Sequence, residues 1–160
     1  MDRLWSPWRY RYVSTASADQ ACIFCSKPAA GDDRANYIVH RARRNFILLN
    51  LYPYTNGHLM IAPYEHAATL GEAHPETLAE LMELTVRAEG ALRRVYNPGG
   101  INLGMNLGQC AGAGIAGHIH MHVLPRWPGD ASFMTTVAET RVLPEDLDTT
   151  YEKLRAEFDS

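Results

Sequence analysis

Residues 117–127 read Gly-His-Ile-His-Met-His-Val-Leu-Pro-Arg-Trp, and the interpretation of the whole chain starts from this alternation. Successive side chains of a β-strand point to opposite faces. The three histidines (His118, His120 and His122) therefore share one face, and the apolar residues that follow each of them share the other. The pattern predicts a strand over about residues 119–124 with an apolar face against a core and a row of imidazoles opposite.

A row of imidazoles is unfavourable in an apolar core, because each ring has two nitrogens that need hydrogen-bond partners and titrates near neutral pH. A solvated polar strand face is the structural alternative, and the alternating apolar residues argue against it. A three-histidine metal site is the chemical alternative. Ligands two positions apart on one strand are separated by about 7 Å, so one histidine could join a metal site, whereas three on one ion would be strained.

The remaining chain predicts four more strands and two helices. Short β-like runs at 37–39 and 46–51 flank a basic turn and indicate a hairpin, and further strands are expected at 58–62 and 101–106. One helix is expected from Pro75 to the stop signal at 97–100, with an apolar stripe on Leu78, Leu81, Met82, Thr85, Ala88, Leu92 and Val95. A second helix opens at Pro144, with an apolar face on Leu147, Tyr151, Leu154 and Phe158. Hairpins around one long helix favour an α+β fold, with an antiparallel sheet of about five strands and two main helices.

Composition limits the classes of protein to consider. A chain of 160 residues, 46% hydrophobic and 21% charged, can bury one core, so a single domain over residues 1–160 is expected. The net charge of −3 gives no basic field for binding nucleic acid. No apolar run is long enough to span a membrane, and a cytoplasmic protein is expected.

The three cysteines do not form a disulfide framework. Cys22 and Cys25 have a spacing typical of half a tetrahedral zinc site, and thioredoxin-like redox chemistry is the rival reading. Cys110 is expected to be a small packed side chain, while His40 and His74 are expected on the surface.

The histidine pattern resembles the signature of the histidine triad (HIT) family. Its continuation over residues 124–134 looks like the bacterial branch of diadenosine tetraphosphate phosphorylases. The resemblance covers nearly the whole chain, through the segments 4–9, 22–25, 49–53 and 56–63. It implies the HIT fold and a nucleotide-processing enzyme.

The resemblance also implies a role for each histidine. His120 would attack the α-phosphorus and become transiently nucleotidylated, while the backbone carbonyl of His118 holds its ring. His122 would contact the phosphate oxygens, and His58 would complete the site from the neighbouring strand. Asn50 matches the position that binds the ribose hydroxyls.

A glycine-rich loop precedes the histidine strand. Such a loop can bring backbone N–H groups close to a charged ligand, although by itself it is a weak signal. By resemblance, Asn106 and the loop residues Gly112, Ala113 and Gly114 would bind the phosphates and the leaving group. Relatives often carry a serine here, whereas this chain has Gly114, so one hydroxyl contact is missing.

The resemblance implies that His66 and His118 complete a structural zinc site with the cysteine pair, and it implies no organic cofactor. A metal that held His118 would fix the carbonyl that orients His120. A homodimer is expected, its sheet extended across a two-fold axis, with the arm at residues 5–8 covering the partner or the pocket.

The expected partners are adenine nucleotides or dinucleoside polyphosphates, with inorganic phosphate as a possible acceptor in a phosphorylase reaction. The open alternatives are hydrolysis of dinucleoside polyphosphates or nucleoside phosphoramidates, and a nucleotide-binding regulator without turnover. A small zinc-stabilised nucleic-acid module is disfavoured by the charge balance.

Overall fold

The computed structural model describes residues 22–132, 135 and 143–159, and in this part of the chain five strands form one antiparallel sheet. The strands are β1 (Ile38–Arg41), β2 (Asn45–Leu49), β3 (Leu59–Pro63), β4 (Gly100–Gly104) and β5 (Met121–Arg126). The helices are α1 (Ile23–Ala29), α2 (Pro75–Tyr96) and α3 (Leu147–Asp159), with a short 3₁₀ turn at Gln109–Ala111. The α+β fold is as expected, with a third helix that the sequence does not predict. The arm at residues 5–8 lies outside the described residues.

The strand order is β1-β2-β3-β5-β4, which puts the histidine strand β5 inside the sheet. It pairs with β3 on one side and with β4 on the other, so that His122 lies opposite both Met60 and Gly104. His122 therefore lies on a strand that is held by hydrogen bonds along both edges.

One face of the sheet packs against α2 and α3 and forms the main core. Helix α2 begins where His74 accepts a hydrogen bond from the Glu76 N–H, and it ends at Asn97, which adopts a left-handed φ of 43°. The expected apolar stripe of α2 includes Met82, but this side chain is 52% exposed. The buried stripe passes through Leu84 instead.

The opposite face of the sheet packs against α1. Phe24 is buried there in a second apolar cluster with residues of β1, β2 and β3: Ile38, Phe46, Leu48, Met60 and Ala62. Helix α1 continues to Ala29, with Pro28 in its last turn. This short helix covers the face on which the histidines lie.

Other predictions need correction. The last helix starts at Leu147 rather than Pro144, because the Asp146 carboxylate accepts a hydrogen bond from the Thr149 N–H at 2.7 Å and so caps the helix. Strand β4 is Gly100–Gly104 rather than 101–106, and β2 ends at Leu49, because the chain turns away at Asn50.

Two side chains also differ from the expectation. His40 is half buried, with its ring stacked on Phe158 at 5.5 Å. Cys110 is exposed in the 3₁₀ turn instead of packed. His74 is exposed, as expected. No helix in the described ranges is long and apolar enough to cross a membrane.

Candidate active site

The three histidines of the 118–122 segment share one face of the chain, as the alternation predicts. Val123 and, in part, Met121 pack into the main core on the other face, and Ile119 packs into a small adjoining cluster. The histidine face is not solvated, since His118, His120 and His122 are 1%, 5% and 9% exposed. Strand β5 itself begins only at Met121, so His118 and His120 lie in the extended segment just before it.

Phe24 of α1 covers this row. Its ring centroid lies 4.7 Å from that of His120 and 5.3 Å from that of His118. The aromatic cover removes water from one side of both imidazoles and restricts their rotation. Phe24 is a site residue that sequence reasoning misses. The sequence feature that could have indicated it is its position between Cys22 and Cys25.

A backbone carbonyl fixes the proton of His120. The Nδ1 atom of His120 lies 2.9 Å from the carbonyl oxygen of His118. A carbonyl can only accept, so in the neutral ring Nδ1 carries the hydrogen and Nε2 keeps its lone pair. His120 therefore presents an unprotonated nitrogen, which is what a nucleophile requires.

A second chain of hydrogen bonds fixes His58 and His122. The Tyr54 N–H donates to Nδ1 of His58 at 3.2 Å, so the hydrogen of neutral His58 is on Nε2. That Nε2–H donates to Nδ1 of His122 at 2.9 Å. His122 consequently carries its own hydrogen on Nε2, which makes it a hydrogen-bond donor beside the lone pair of His120. The two rings are 4.9 Å apart.

Burial favours the neutral form of His120 and of His122. It lowers the pKa of His120, although the hydrogen bond to the His118 carbonyl acts in the opposite direction. Burial and the neighbouring His120 lower the pKa of His122 to about 4. Both groups are therefore uncharged at neutral pH, and the proton positions derived above apply there.

His120 and His122 open into a cavity of about 460 Å³. Four of the five residues expected to contact the nucleotide line it: Asn50, Asn106, Gly112 and Gly114. Ala113 does not line it and is buried. The Asn50 carboxamide is also tied into the histidine network, with its Nδ2 atom 3.3 Å from Nδ1 of His58.

The loop amides are only partly available for a phosphate. The N–H of Gly112 donates to the Gln109 carbonyl at 2.9 Å, and that of Ala113 donates to the Gly108 carbonyl at 3.3 Å. Both are used to close the 3₁₀ turn. No backbone acceptor is found for the N–H of Gly114 within the described ranges. Gly114 is therefore the first residue after the turn whose amide can donate to a ligand.

The predicted metal ligands converge at one end of the histidine row. The ligand atoms of Cys22, Cys25, His66 and His118 all lie within 4.8 Å of one another. The Sγ atoms of Cys22 and Cys25 are 3.3 and 3.7 Å from Nδ1 of His118, and Cys25 Sγ is 3.4 Å from Nδ1 of His66. Zinc–sulfur and zinc–nitrogen bonds of about 2.3 and 2.05 Å at tetrahedral angles give a sulfur–nitrogen separation of about 3.6 Å. The four side chains fit one such ion.

The proton of His118 supports the same conclusion. Its Nε2 atom lies 2.9 Å from the carbonyl oxygen of Pro63, so Nε2 donates and Nδ1 has a free lone pair directed at both sulfurs. This nitrogen cannot donate to a thiolate; it can accept from a cysteine S–H or bind a metal. Burial and the adjacent Cys22 raise the pKa of the Cys25 thiol, and a cation would offset that effect.

Comparison with known proteins identifies the family. A family model described as the HIT domain matches residues 34–129. The chain belongs to the HIT family. It is 38% identical to a Mycobacterium tuberculosis protein named AP-4-A phosphorylase, over 99% of this chain and 85% of that protein. An uncharacterised HIT-like protein of Saccharolobus solfataricus is 28% identical over 71% of this chain and 79% of that protein.

Solved structures of HIT proteins have the same fold. A zinc-bound histidine triad family protein from Mycobacterium smegmatis aligns with a TM-score of 0.71 at 28% identity, covering 87% of this chain and 94% of that one. A hypothetical histidine triad nucleotide-binding protein from Sulfolobus tokodaii aligns with a TM-score of 0.70 at 26% identity, covering 86% and 92%. The HIT fold expected from the sequence is thus confirmed.

Proposed function

We propose that this HIT protein cleaves dinucleoside polyphosphates by nucleotidyl transfer through His120, with diadenosine tetraphosphate as substrate and inorganic phosphate as acceptor. The observation that carries the proposal is the pair of proton positions at His120 and His122. One ring offers a lone pair and its neighbour offers an N–H, both into the same cavity. The 38% identity to a protein named AP-4-A phosphorylase supports the choice of substrate.

In the first step, Nε2 of His120 attacks the α-phosphorus of one adenosine. The new bond joins this nitrogen to phosphorus, and the bond between the α-phosphorus and the bridging oxygen to the β-phosphate breaks, which releases ATP. A polyphosphate is a stable anion, with a second phosphate pKa of about 6, and leaves without a strong acid. The hydrogen on Nδ1 of His120 stays directed at the His118 carbonyl, which stabilises the positive charge that forms on the ring.

The transferring phosphoryl group meets donors that need no rearrangement. The Nε2–H of His122, the Asn106 carboxamide and the Gly114 N–H are the proposed donors to its oxygens. The amides of Gly112 and Ala113 do not join them, because they close the loop turn. The Asn50 carboxamide is assigned to the ribose hydroxyls.

In the second step, an oxygen of inorganic phosphate attacks the phosphorus of the nucleotidyl-histidine. The phosphorus–nitrogen bond breaks, ADP forms and His120 recovers its lone pair. Water in place of phosphate would give AMP. A serine hydroxyl would favour phosphate, and Gly114 lacks it, so we expect a weak apparent affinity for phosphate and a visible hydrolytic background.

Cys22, Cys25, His66 and His118 would hold a structural zinc ion. When bound, the ion cross-links α1 to the segment before β5 and restrains His118, whose carbonyl orients His120. The M. smegmatis neighbour described as zinc-bound supports the identity of the metal. No chemical step is assigned to the metal.

A homodimer is proposed through the β4 edge. Strand β4 pairs only with β5 in the described sheet, so its other edge offers backbone groups to a second copy. Leu103 on β4 and Leu107 just after it are 49% and 43% exposed, and a partner strand would cover them. Sedimentation equilibrium measures the mass of the assembly, and a monomer would exclude this arrangement.

Product analysis with diadenosine tetraphosphate tests the reaction, with and without inorganic phosphate. ATP plus ADP, with phosphate consumed, is expected. ATP plus AMP at saturating phosphate would identify a hydrolase and overturn the phosphorylase assignment. Two molecules of ADP would exclude attack at the α-phosphorus.

A regulator that binds nucleotide without turnover would have the same cavity, and a second assay separates it from an enzyme. Label from diadenosine tetraphosphate radiolabelled in the α-phosphate should appear on the wild-type protein after acid-free quenching. It should also appear on the His74→Gln variant, in which an exposed histidine is changed, and not on His120→Ala. Absence of both label and products in the wild type would favour the regulator.

A further inference from the structure

Lys27 is the one lysine or arginine among the residues that line the cavity of His120 and His122, and no aspartate or glutamate lines it in the described part of the chain. The Nζ atom of Lys27 donates to the Asn36 carbonyl at 3.3 Å. Within the same part of the chain no carboxylate forms an ion pair with it. An ammonium has three N–H donors, so two remain for a ligand.

Lys27 lies at the end of the cavity remote from the reacting histidine. It follows Phe24 by three positions and therefore lies one turn further along the same side of α1. Its Nζ atom reaches Asn36, just before β1. Strands β2 and β3 separate β1 from β5, and three strand spacings amount to about 14 Å.

The cavity also has apolar walls. They are formed by Ile23 and Phe24 of α1, Leu48 of β2, Met60 of β3 and Ile115 of the loop. A planar base fits such a slot better than a phosphate does. With the α-phosphorus at His120 and the ribose at Asn50, as proposed above, the nucleobase extends toward Lys27.

Lys27 can only donate hydrogen bonds, and purine bases differ in what they accept. Guanine offers two acceptors on one edge, N7 and O6, whereas adenine offers N7 beside an amino donor at N6. A lysine is a common partner of the guanine edge. Of the other polar side chains that line the cavity, those of Asn50, Asn106, His120 and His122 are assigned above to the ribose and the phosphate.

We propose that Lys27 reads the base and sets the preference of this site between guanine and adenine nucleotides, with diguanosine tetraphosphate as the dinucleotide to test. The inference rests on the proposed function for the position of the base. It adds a residue that determines specificity, and it predicts a change in the ratio of two substrates rather than in overall activity.

The experiment compares kcat/KM for diguanosine and diadenosine tetraphosphate in the wild type and in Lys27→Met, which keeps the apolar stem and removes the donors. We expect the guanine substrate to lose about ten-fold while the adenine substrate changes by less than about three-fold. Lys27→Arg should retain the guanine activity. Arg93→Met, on the exposed side of α2, serves as the matched control and should alter neither substrate.

Lys27→Gln gives a second and opposite test. A carboxamide can donate to N7 of adenine and accept from its N6 amino group, so this variant should shift the ratio toward adenine. Thermal melting of each variant checks folding. Equal losses on both substrates would identify Lys27 as a phosphate or structural contact and would overturn the proposal, as would an unchanged ratio in both variants.

Binding of GMP and AMP by calorimetry separates this inference from the proposed function. If the wild type cleaves neither dinucleotide, the proposed reaction fails, and the mononucleotides still test Lys27. A GMP affinity that falls about ten-fold in Lys27→Met, with AMP unchanged, supports the inference on binding alone. Equal affinities for GMP in wild type and variant refute it.

Discussion

The buried pair of His58 and His122 makes a quantitative prediction about stability in mild acid. The Nδ1 atom of His122 accepts from His58, and the ring is 9% exposed beside His120 and Tyr54. Burial and His120 lower the pKa of His122 to about 4. The unfolded chain has no such environment, so His122 titrates there near its ordinary pKa of about 6.5.

The sign and size of the effect follow from proton linkage. Above pH 6.5 His122 is neutral in both states and contributes no pH dependence. Below pH 6.5 the unfolded state binds a proton that the native state does not, so the free energy of unfolding falls as pH falls, until the native ring also titrates near pH 4. At pH 5 the loss attributable to His122 is about 1.5 pH units at 1.36 kcal/mol each, or about 2 kcal/mol.

The assay is urea unfolding of the wild type and of His122→Asn at pH 7.5, 6.5, 5.5 and 5. Asparagine can still accept from His58 and does not titrate. Metal release and the titration of other carboxyl groups and histidines are common to both proteins, so the difference between the two curves isolates His122. We expect the advantage of the wild type to shrink by about 2 kcal/mol between pH 7.5 and 5. Parallel curves, within about 0.5 kcal/mol, would mean that His122 binds a proton as readily in the native state as in the unfolded chain, and they would refute the lowered pKa of this ring.

Three further predictions concern the nucleophile, the metal and the acceptor. His120→Gly should abolish turnover yet keep nucleotide affinity within about ten-fold by calorimetry, since the cavity walls come from other residues; substantial remaining activity would exclude the covalent route. Native mass spectrometry should detect zinc in the wild type and none in Cys22→Ser, and the variant should lose about 3 kcal/mol of stability, or about 10 °C in melting temperature. If the wild type stripped of metal melts at the same temperature as the untreated wild type, the metal site is contradicted. Gly114→Ser should lower the KM for phosphate about ten-fold, because the serine hydroxyl adds a hydrogen bond to the phosphate. Serine should not strain the backbone, because Gly114 has no positive φ, in contrast to Gly112 with 91°. A KM that is unchanged or higher would show that no hydroxyl contact is formed.

The features that the sequence predicts correctly are those with a period or a stop signal. The alternation at 118–123 separates core from site correctly, because a strand has only two faces. Helix α2 begins at Pro75 and ends before Pro98, because proline fits the first turn and left-handed Asn97 ends the helix. The cysteine pair of the ligand cluster is anticipated from its spacing, whereas His66 and His118 are anticipated only from the resemblance to the HIT family.

The features that the sequence does not predict are local and short. Helix α1 has seven residues, contains Pro28 and has no side-chain cap, so no periodic signal marks it. Met82 fits a helical stripe by spacing, but the packing of α3 and the sheet selects Leu84 instead. The partners of the histidines are backbone groups of Tyr54, Pro63 and His118, and a sequence gives no sign of which of its peptide groups will face a ring.

These backbone partners explain how one residue can link the candidate metal ligands to the proposed nucleophile. His118 donates from Nε2 to the Pro63 carbonyl, directs Nδ1 at the cysteines, and accepts the Nδ1–H of His120 on its own carbonyl. Peptide groups do not titrate, so this arrangement persists wherever the rings are neutral. A change that frees His118 from the cysteines should therefore affect the orientation of His120 before it affects the cavity walls, which α1, β2 and β3 hold independently. In kinetics this is a loss of kcat with little change in substrate affinity, and it distinguishes a metal that preorganises the nucleophile from one that only stabilises the fold.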